Sequence, residues 1–251
     1  MFRGYIVEMI DLSPKNPSAQ INYLIDRAVE IERNYEPTRA YIGGSIIGHP
    51  CERFLQYQFG ESQKFPGRIY QIFEFGDAVE NLMVKWFNLA GFNLVTEKPG
   101  GGQWGWSDGR FAGHADGMFV PGSQNIFDTP CLWECKSMNN KSWNKCKKKG
   151  VKKSNPIYAA QIAVYQHYLN LMEHPAIFTA MNKDNCEKHH ERVPYDAHLA
   201  QNMIDRAKHV LAACDAGELL PRGFNDPNLW DWNLNAGCKY CDYQKDGRCW
   251  G

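Results

Sequence analysis

The segment Cys131-Leu132-Trp133-Glu134-Cys135-Lys136 sets an acid and an amine inside an apolar, β-prone run, and few folds can accommodate that. Side chains on a strand alternate with period two, so Glu134 and Lys136 point to one side and Leu132 flanks them. Either charge would be costly if it were buried and unpaired. The pair therefore requires a mutual salt bridge, access to solvent, or a chemical use.

The chain around this strand is predicted to be mostly helical at first and then to form a sheet. Ile21, Leu24, Ile25, Ala28 and Ile31 recur at helical spacing. A second helix is expected after Ser45 as N-cap, carrying Cys51, Phe54, Leu55 and Phe59 and ending at Gly60. A third is expected over residues 69–89, with Phe73, Gly76, Glu80, Met83, Val84 and Phe87 near one face. Strands are predicted over 92–95, 111–120 and 131–136, with Gly100-Gly101-Gly102 and Pro121-Gly122 as turns. Pro156 opens another helix bearing Ile157, Ala160, Gln161, Val164, Tyr165, Tyr168 and Met172. A strand over 176–181 and a long helix through Leu199, Met203, Ala207, Val210, Leu211 and Cys214 follow. The expected architecture is α/β: a small central sheet flanked by helices, with a helical part over 1–90, a core over 91–216 and a cysteine-rich lobe over 217–251, all in one cooperative domain.

A chain of 251 residues can bury a real core, and 43% hydrophobic with 22% charged residues is ordinary for a soluble globular protein. No run approaches the roughly 20 apolar residues of a membrane-spanning helix, so no membrane partner is expected. The start, Met1-Phe2-Arg3-Gly4 with Glu8 and Asp11 close behind, lacks the pattern of a signal peptide, so an intracellular, cytoplasmic setting is expected. Nine cysteines in a reducing compartment favour metal ligation over disulfides for any clustered subset. Net charge is zero, yet Lys141, Lys145, Lys147, Lys148, Lys149, Lys152 and Lys153 crowd one stretch. That run reads either as a solvated surface loop or as a grip on phosphates.

Upstream of the acid–amine strand lies Gly113-His114-Ala115-Asp116-Gly117. Asp116 and Glu134 could hold one or two divalent cations, which bind hard oxygen ligands and polarise a phosphate. Lys136 could orient a water or stabilise developing charge, and the Cys135 carbonyl could add a ligand. Alone, the triplet could equally be surface salt-bridge formers, and His114 a polar residue beside a turn. Gln161 and Tyr165, one helical turn apart, share a face, either as a buried pair or as groups reaching the site.

Taken together, Phe75-Gly76-Asp77-Ala78-Val79-Glu80, Gly113-His114-Ala115-Asp116-Gly117, Glu134-Cys135-Lys136 and Gln161-Ile162-Ala163-Val164-Tyr165 resemble the ordered motifs of the PD-(D/E)XK nucleases. Within that superfamily they resemble the RecB-type branch, which includes AddB-like nucleases, CRISPR-adaptation nucleases and phage recombination exonucleases. The resemblance runs from about Gly44 to Cys249. It implies a restriction-endonuclease-like core, Mg²⁺ or Mn²⁺ at Asp116, Glu134, the Cys135 carbonyl and Glu80, and catalysis by Asp116, Glu134, Lys136, Gln161 and Tyr165.

The tail carries Cys238, Cys241 and Cys249, three thiols where a closed tetrahedral site needs four ligands. The candidate fourth is Cys51, in His49-Pro50-Cys51-Glu52-Arg53, which resembles the helix supplying the remote first cysteine in iron–sulfur members of the branch. That resemblance implies a [4Fe–4S] cluster closing a C-terminal lobe. By thiolate chemistry alone, zinc fits equally. Cys131, Cys135, Cys146, Cys186 and Cys214 lack such spacing and read as core or incidental thiols.

The function expected from these features is a metal-dependent DNA nuclease working on free ends in recombination, repair or phage DNA metabolism. A noncatalytic DNA-binding accessory protein and a structure-specific endonuclease are the alternatives. If the chain is phage-encoded, it would act in the host cytoplasm.

Overall fold

The structure is a computed structural model that describes residues 16–33, 40–59, 64–234 and 236–250. The segment from Met1 to Asp11, read above as lacking a signal peptide, and Gly60, expected to end the second helix, lie outside the described residues. The elements begin with α1 (Pro17–Arg33), β1 (Ile42–Gly43), α2 (Glu52–Gln58) and α3 (Gly67–Leu89). Next come β2 (Asn93–Val95), β3 (Gly105–Asp108), β4 (Phe111–His114), β5 (Gly117–Val120) and β6 (Cys131–Met138). A helical crossover of α4 (Asn140–Lys149), α5 (Val151–Ser154) and α6 (Pro156–Tyr168) leads to β7 (Ala176–Asn182) and β8 (Lys188–Val193). Helix α7 (Ala197–Ala216), the hairpin β9 (Trp230–Asp231) and β10 (Ala236–Gly237), and α8 (Asp242–Lys245) complete the chain.

The chain divides into two compact units, residues 1–37 with 63–75 and residues 38–62 with 76–251. In the first, the Gly67 N–H donates to Glu30 (2.9 Å), Gln71 donates to Asp26 (2.8 Å), and Phe65, Tyr70 and Phe73 meet edge to face. Helix α1 forms where its apolar spacing predicts, but Ile21, Leu24 and Ile25 remain exposed.

In the second unit, a five-stranded mixed sheet has the order β2-β5-β6-β7-β8, with only β6 and β7 parallel. Parallel neighbours need a long crossover, which the three helices α4 to α6 provide. Period-two alternation divides the core between the two faces of this sheet. Leu132, Met138, Ala176, Phe178 and Ala180 cluster with Ile162, Val164 and Tyr165 of α6 and with α7. Cys131, Trp133, Cys135, Ile177 and Met181 cluster with Val79, Met83 and Phe87 of α3. The even-numbered face of β6, which carries Glu134 and Lys136, is therefore the one α6 covers.

Several elements differ from the sequence expectation. The second helix starts at Glu52 with Cys51 as N-cap, and Ser45 lies in a preceding turn. Pro50 lacks an N–H and disfavours helical geometry at His49, so no helix can run through from Ser45. The predicted strand over 111–120 is two strands in different sheets: β4 joins β1 and β3, and β5 joins the large sheet. The lysine run is helical rather than a loop. Trp143 and Cys146, three apart, bury one side of α4, and Lys147, Lys148 and Lys149 fill its last turn, where cations suit the helix dipole. Gly150, at φ +75°, ends the helix. Sequence reading missed β3 and β8; β8 is polar and alternates between exposed and half-buried along the sheet edge.

Tyr165 is 2% exposed and packs where two glycines bring backbone close to its ring. A Cβ at Gly113 would stand 2.7 Å from Tyr165 Cε1, and one at Gly44 2.6 Å from it. Gly113→Ala should therefore lower the unfolding free energy by about 1–3 kcal/mol, because a fully packed ring cannot yield space. Urea unfolding should show a lower midpoint at unchanged slope, and an unshifted midpoint would refute the tight contact.

Candidate active site and cysteine cavity

Glu134 and Lys136 project from the middle of β6 toward α6. Glu134 is fully buried; its Oε1 accepts a short hydrogen bond from Lys136 Nζ, and its Oε2 is buried with no partner. Asp116 occupies the step where the chain leaves β4 for β5. The β5–β6 ladder reaches only as far as Gly117 opposite Trp133, and beyond it Asp116 Oδ2 accepts from the Cys135 N–H at 2.8 Å. The carboxylate thus continues the ladder where strand pairing stops, and it stands 3.5 Å from Lys136 Nζ. Break, ladder end and acid are one local feature.

Burial, with the crowding of acids second, sets the electrostatics. Burial, followed by repulsion from Asp116, pushes the Glu134 carboxyl up to about 8, with Lys136 opposing. Burial and Asp116 likewise push Glu80, half-buried on α3, up to about 8. Burial works against the charge on Lys136, but Asp116 and Glu134 outweigh it and hold the ammonium well above the usual lysine range. Lys136 also lies 5.6 Å from the centre of the Tyr158 ring. Gln161 is 3% exposed, and burial raises the Tyr165 hydroxyl, with Glu134 and Asp116 adding to the effect. His114 is exposed.

Once the three neighbouring acids are ionised, one lysine balances only part of their charge. A divalent cation would supply the rest, and the unpartnered Glu134 oxygen with the hard oxygen donors of Asp116 and Glu80 suits Mg²⁺ or Mn²⁺. Among the described residues no three His, Cys, Asp or Glu side chains converge closely enough to ligate an ion as they stand. Asp116 nevertheless raises the carboxyls of both Glu80 and Glu134, and Glu80 raises that of Glu134.

Cys51, Cys238, Cys241 and Cys249 line one small cavity, together with His49, Arg53, Tyr57, Arg222 and Tyr243. Helix α2 binds the tail here. Arg53 Nε donates to the Leu220 carbonyl (2.5 Å), Tyr57 to the Arg248 carbonyl (3.1 Å) and Gln58 to Tyr243 (2.9 Å). The Gly223 N–H points at Cys51 Sγ (3.2 Å), and Arg53 Nη1 lies 4.0 Å from Cys249 Sγ. Burial raises the Cys238 and Cys241 thiols, and Cys51 raises both further. A thiophilic metal would favour their ionised forms, so the donor set suits one. Cys131, Cys135 and Cys146 are buried away from this cavity, Cys186 is exposed and Cys214 half-buried.

The lysine run divides by partner. Lys152 pairs with Asp196 (2.6 Å), Lys147 lies over Trp143, and Lys141 and Lys145 meet Trp232. Lys148, Lys149 and Lys153 are exposed. Sequence reading did not single out Tyr158, whose only signal was its place in the helix bearing Gln161, or Trp232.

No protein-family model and no curated protein sequence matches this chain. Among solved structures, the alkaline exonuclease LHK-Exo from Laribacter hongkongensis superposes with a TM-score of 0.51 at 16% identity, over 72% of this chain and 90% of that one. The two share a fold. LHK-Exo in complex with dAMP gives 0.49 at 16% identity over 72% and 90%. SSO0001 gives 0.45 at 14% identity over 76% and 85%. Among the described residues, no helix is long and apolar enough to cross a membrane.

The raised carboxyls have a measurable consequence. Between the ordinary glutamate range and about 8, folded Glu80 and Glu134 hold protons that the unfolded chain has released. Stability is therefore lost as pH rises through that window. In chelator the Tm should fall over this range, and Glu134→Gln, which cannot ionise, should flatten the fall. Parallel Tm curves for the two proteins would contradict the buried-acid assignment.

Proposed function

We propose that this chain is a metal-dependent nuclease of the PD-(D/E)XK superfamily that hydrolyses phosphodiester bonds in DNA from free ends. The observation that carries the reading is the buried Glu134, with one oxygen on Lys136, the other without a partner, and Asp116 beside the same ammonium. A buried, half-satisfied acid is costly unless something completes it. The fold shared with LHK-Exo supports the choice of chemistry, and that protein's description as an alkaline exonuclease motivates the preference for ends.

On this reading Asp116, Glu134, the Cys135 carbonyl and Glu80 hold Mg²⁺ or Mn²⁺, which supplies Lewis acidity toward a phosphate oxygen and a water. Lys136, kept charged by its two acids, orients the water or stabilises charge developing on the phosphate. Gln161 and Tyr165 close the site from α6 and exclude solvent from Glu134. Lys148, Lys149 and Lys153 have no carboxylate within salt-bridge distance among the described residues and are available to phosphates. Cys51, Cys238, Cys241 and Cys249 hold a [4Fe–4S] cluster, with zinc as the alternative, and tie the tail to α2.

End-labelled single- and double-stranded DNA should be degraded with Mg²⁺ or Mn²⁺ and not in chelator. Asp116→Ala, Glu134→Ala and Lys136→Ala should each lower the rate by about 100-fold or more, with circular dichroism checking that each variant is folded. Full activity in all three would dismiss the site. DNA binding without cutting under any divalent ion would favour a noncatalytic accessory protein.

The cysteine site has a separate test. Because metal binding contributes to folding free energy, Cys51→Ser, Cys238→Ser, Cys241→Ser and Cys249→Ser should each reduce soluble yield and metal content, whereas Cys186→Ser should not. Anaerobic protein should be brown with iron and sulfide, or colourless with zinc. Absence of both metals from freshly prepared protein would overturn the assignment.

A further inference from the structure

Trp232 is 68% exposed at the bend of the β9–β10 hairpin. An indole left this far in water forfeits most of the free energy its burial would yield, so its position calls for a reason. The ring stands edgewise against Trp230, with centroids 6.3 Å apart at 80°, and Trp230 meets Tyr240 at 5.0 Å. Tyr240 is itself 52% exposed. Cations interleave with these rings. Lys141 Nζ lies 5.2 Å from the Trp232 ring centre, Lys145 Nζ donates to the Trp232 carbonyl at 2.8 Å, and Lys239 Nζ lies 5.5 Å from the Tyr240 ring. Lys141, Lys145 and Lys148 recur at i, i+4 and i+7 along α4, so they form one stripe.

We propose that this surface binds single-stranded DNA, with an unpaired base stacking on Trp232 and the α4 lysines holding the phosphates on either side. Alternating aromatic faces and ammonium groups form the chemistry that grips an unpaired strand without regard to sequence. A duplex keeps its bases stacked on one another and offers Trp232 none, so the surface selects unpaired strand over duplex. Its distance from the cutting centre is also suitable. Lys141 follows Lys136 by five residues, so their Cα atoms are at most about 18 Å apart. A strand held by Trp232 and Lys141 is thus gripped by the helix that directly follows the strand bearing Glu134 and Lys136. The inference rests on the nuclease reading and adds its substrate form, an unpaired strand or an end opened into one.

The test measures binding of fluorescent oligothymidylate and of a closed dumbbell duplex by anisotropy, on an Asp116→Asn background that keeps the strand intact. Trp232→Ala should weaken oligothymidylate binding about tenfold and change duplex binding less than about twofold. Trp232→Phe, which keeps a stacking face, should restore most of the loss. A 2-aminopurine base in the oligonucleotide should be quenched on binding the parent and not on binding Trp232→Ala. Unchanged oligonucleotide affinity in Trp232→Ala, or equal losses in the Ala and Phe variants, would overturn the stacking surface and leave the nuclease reading intact. A parent protein that binds neither DNA would overturn both.

Discussion

Lys136 reaches back along its own strand to Glu134, and the arrangement of the site follows from that contact. A carboxyl fully buried between α6 and the central sheet resists ionisation, and the ammonium on one of its oxygens is what helps it carry charge. The same ammonium faces Asp116, which occupies the point where the chain changes sheets and caps the Cys135 N–H. The pair therefore needs β6 to be flanked by β5 only as far as Trp133, and by β7 from Trp133 to Met138. One acid stays incompletely satisfied, and Glu80 adds to the crowding. Excess negative charge of this kind is what a divalent cation or a proton removes.

A second constraint acts at the far end of the chain. The tail beyond α7 has little regular structure, and α2 holds it through side chains that reach tail carbonyls and Tyr243. Four cysteines line the cavity at that seam, and burial keeps Cys238 and Cys241 from ionising easily without a partner. The seam joins residues separated by most of the sequence, so whatever fills it would restrict the unfolded chain over a very long loop.

The seam also fixes the hairpin that carries Trp232, because the hairpin leads directly into Cys238 and Cys241. On its other side the hairpin touches Lys141 and Lys145 of α4, the helix that follows the acid–amine strand. The cysteine lobe and the candidate cutting site are thereby linked through one basic helix. Disorder in the lobe would cost the lysine stripe its aromatic neighbour even if Glu134 and Lys136 were untouched.

The sequence by itself determined the acid–amine alternation on β6, the helical periodicities of α3, α6 and α7, and the spacing of the tail cysteines, since each depends on residues close together in the chain. It did not determine the split at Asp116: Gly113, Asp116 and Gly117 weaken the strand pattern there, but only pairing with β1 and β3 on one side and β6 on the other reveals two strands in different sheets. It left the lysine run ambiguous, because its helix depends on burying Trp143 and Cys146 against strands that come later in the chain. Edge strand β8 is polar and gains its conformation only from the apolar β7 beside it. Local spacing specified which residue types could act together, whereas burial, the shared charge on Lys136 and the meeting of Trp232 with α4 were decided by contacts between distant segments, whose energies no local pattern records.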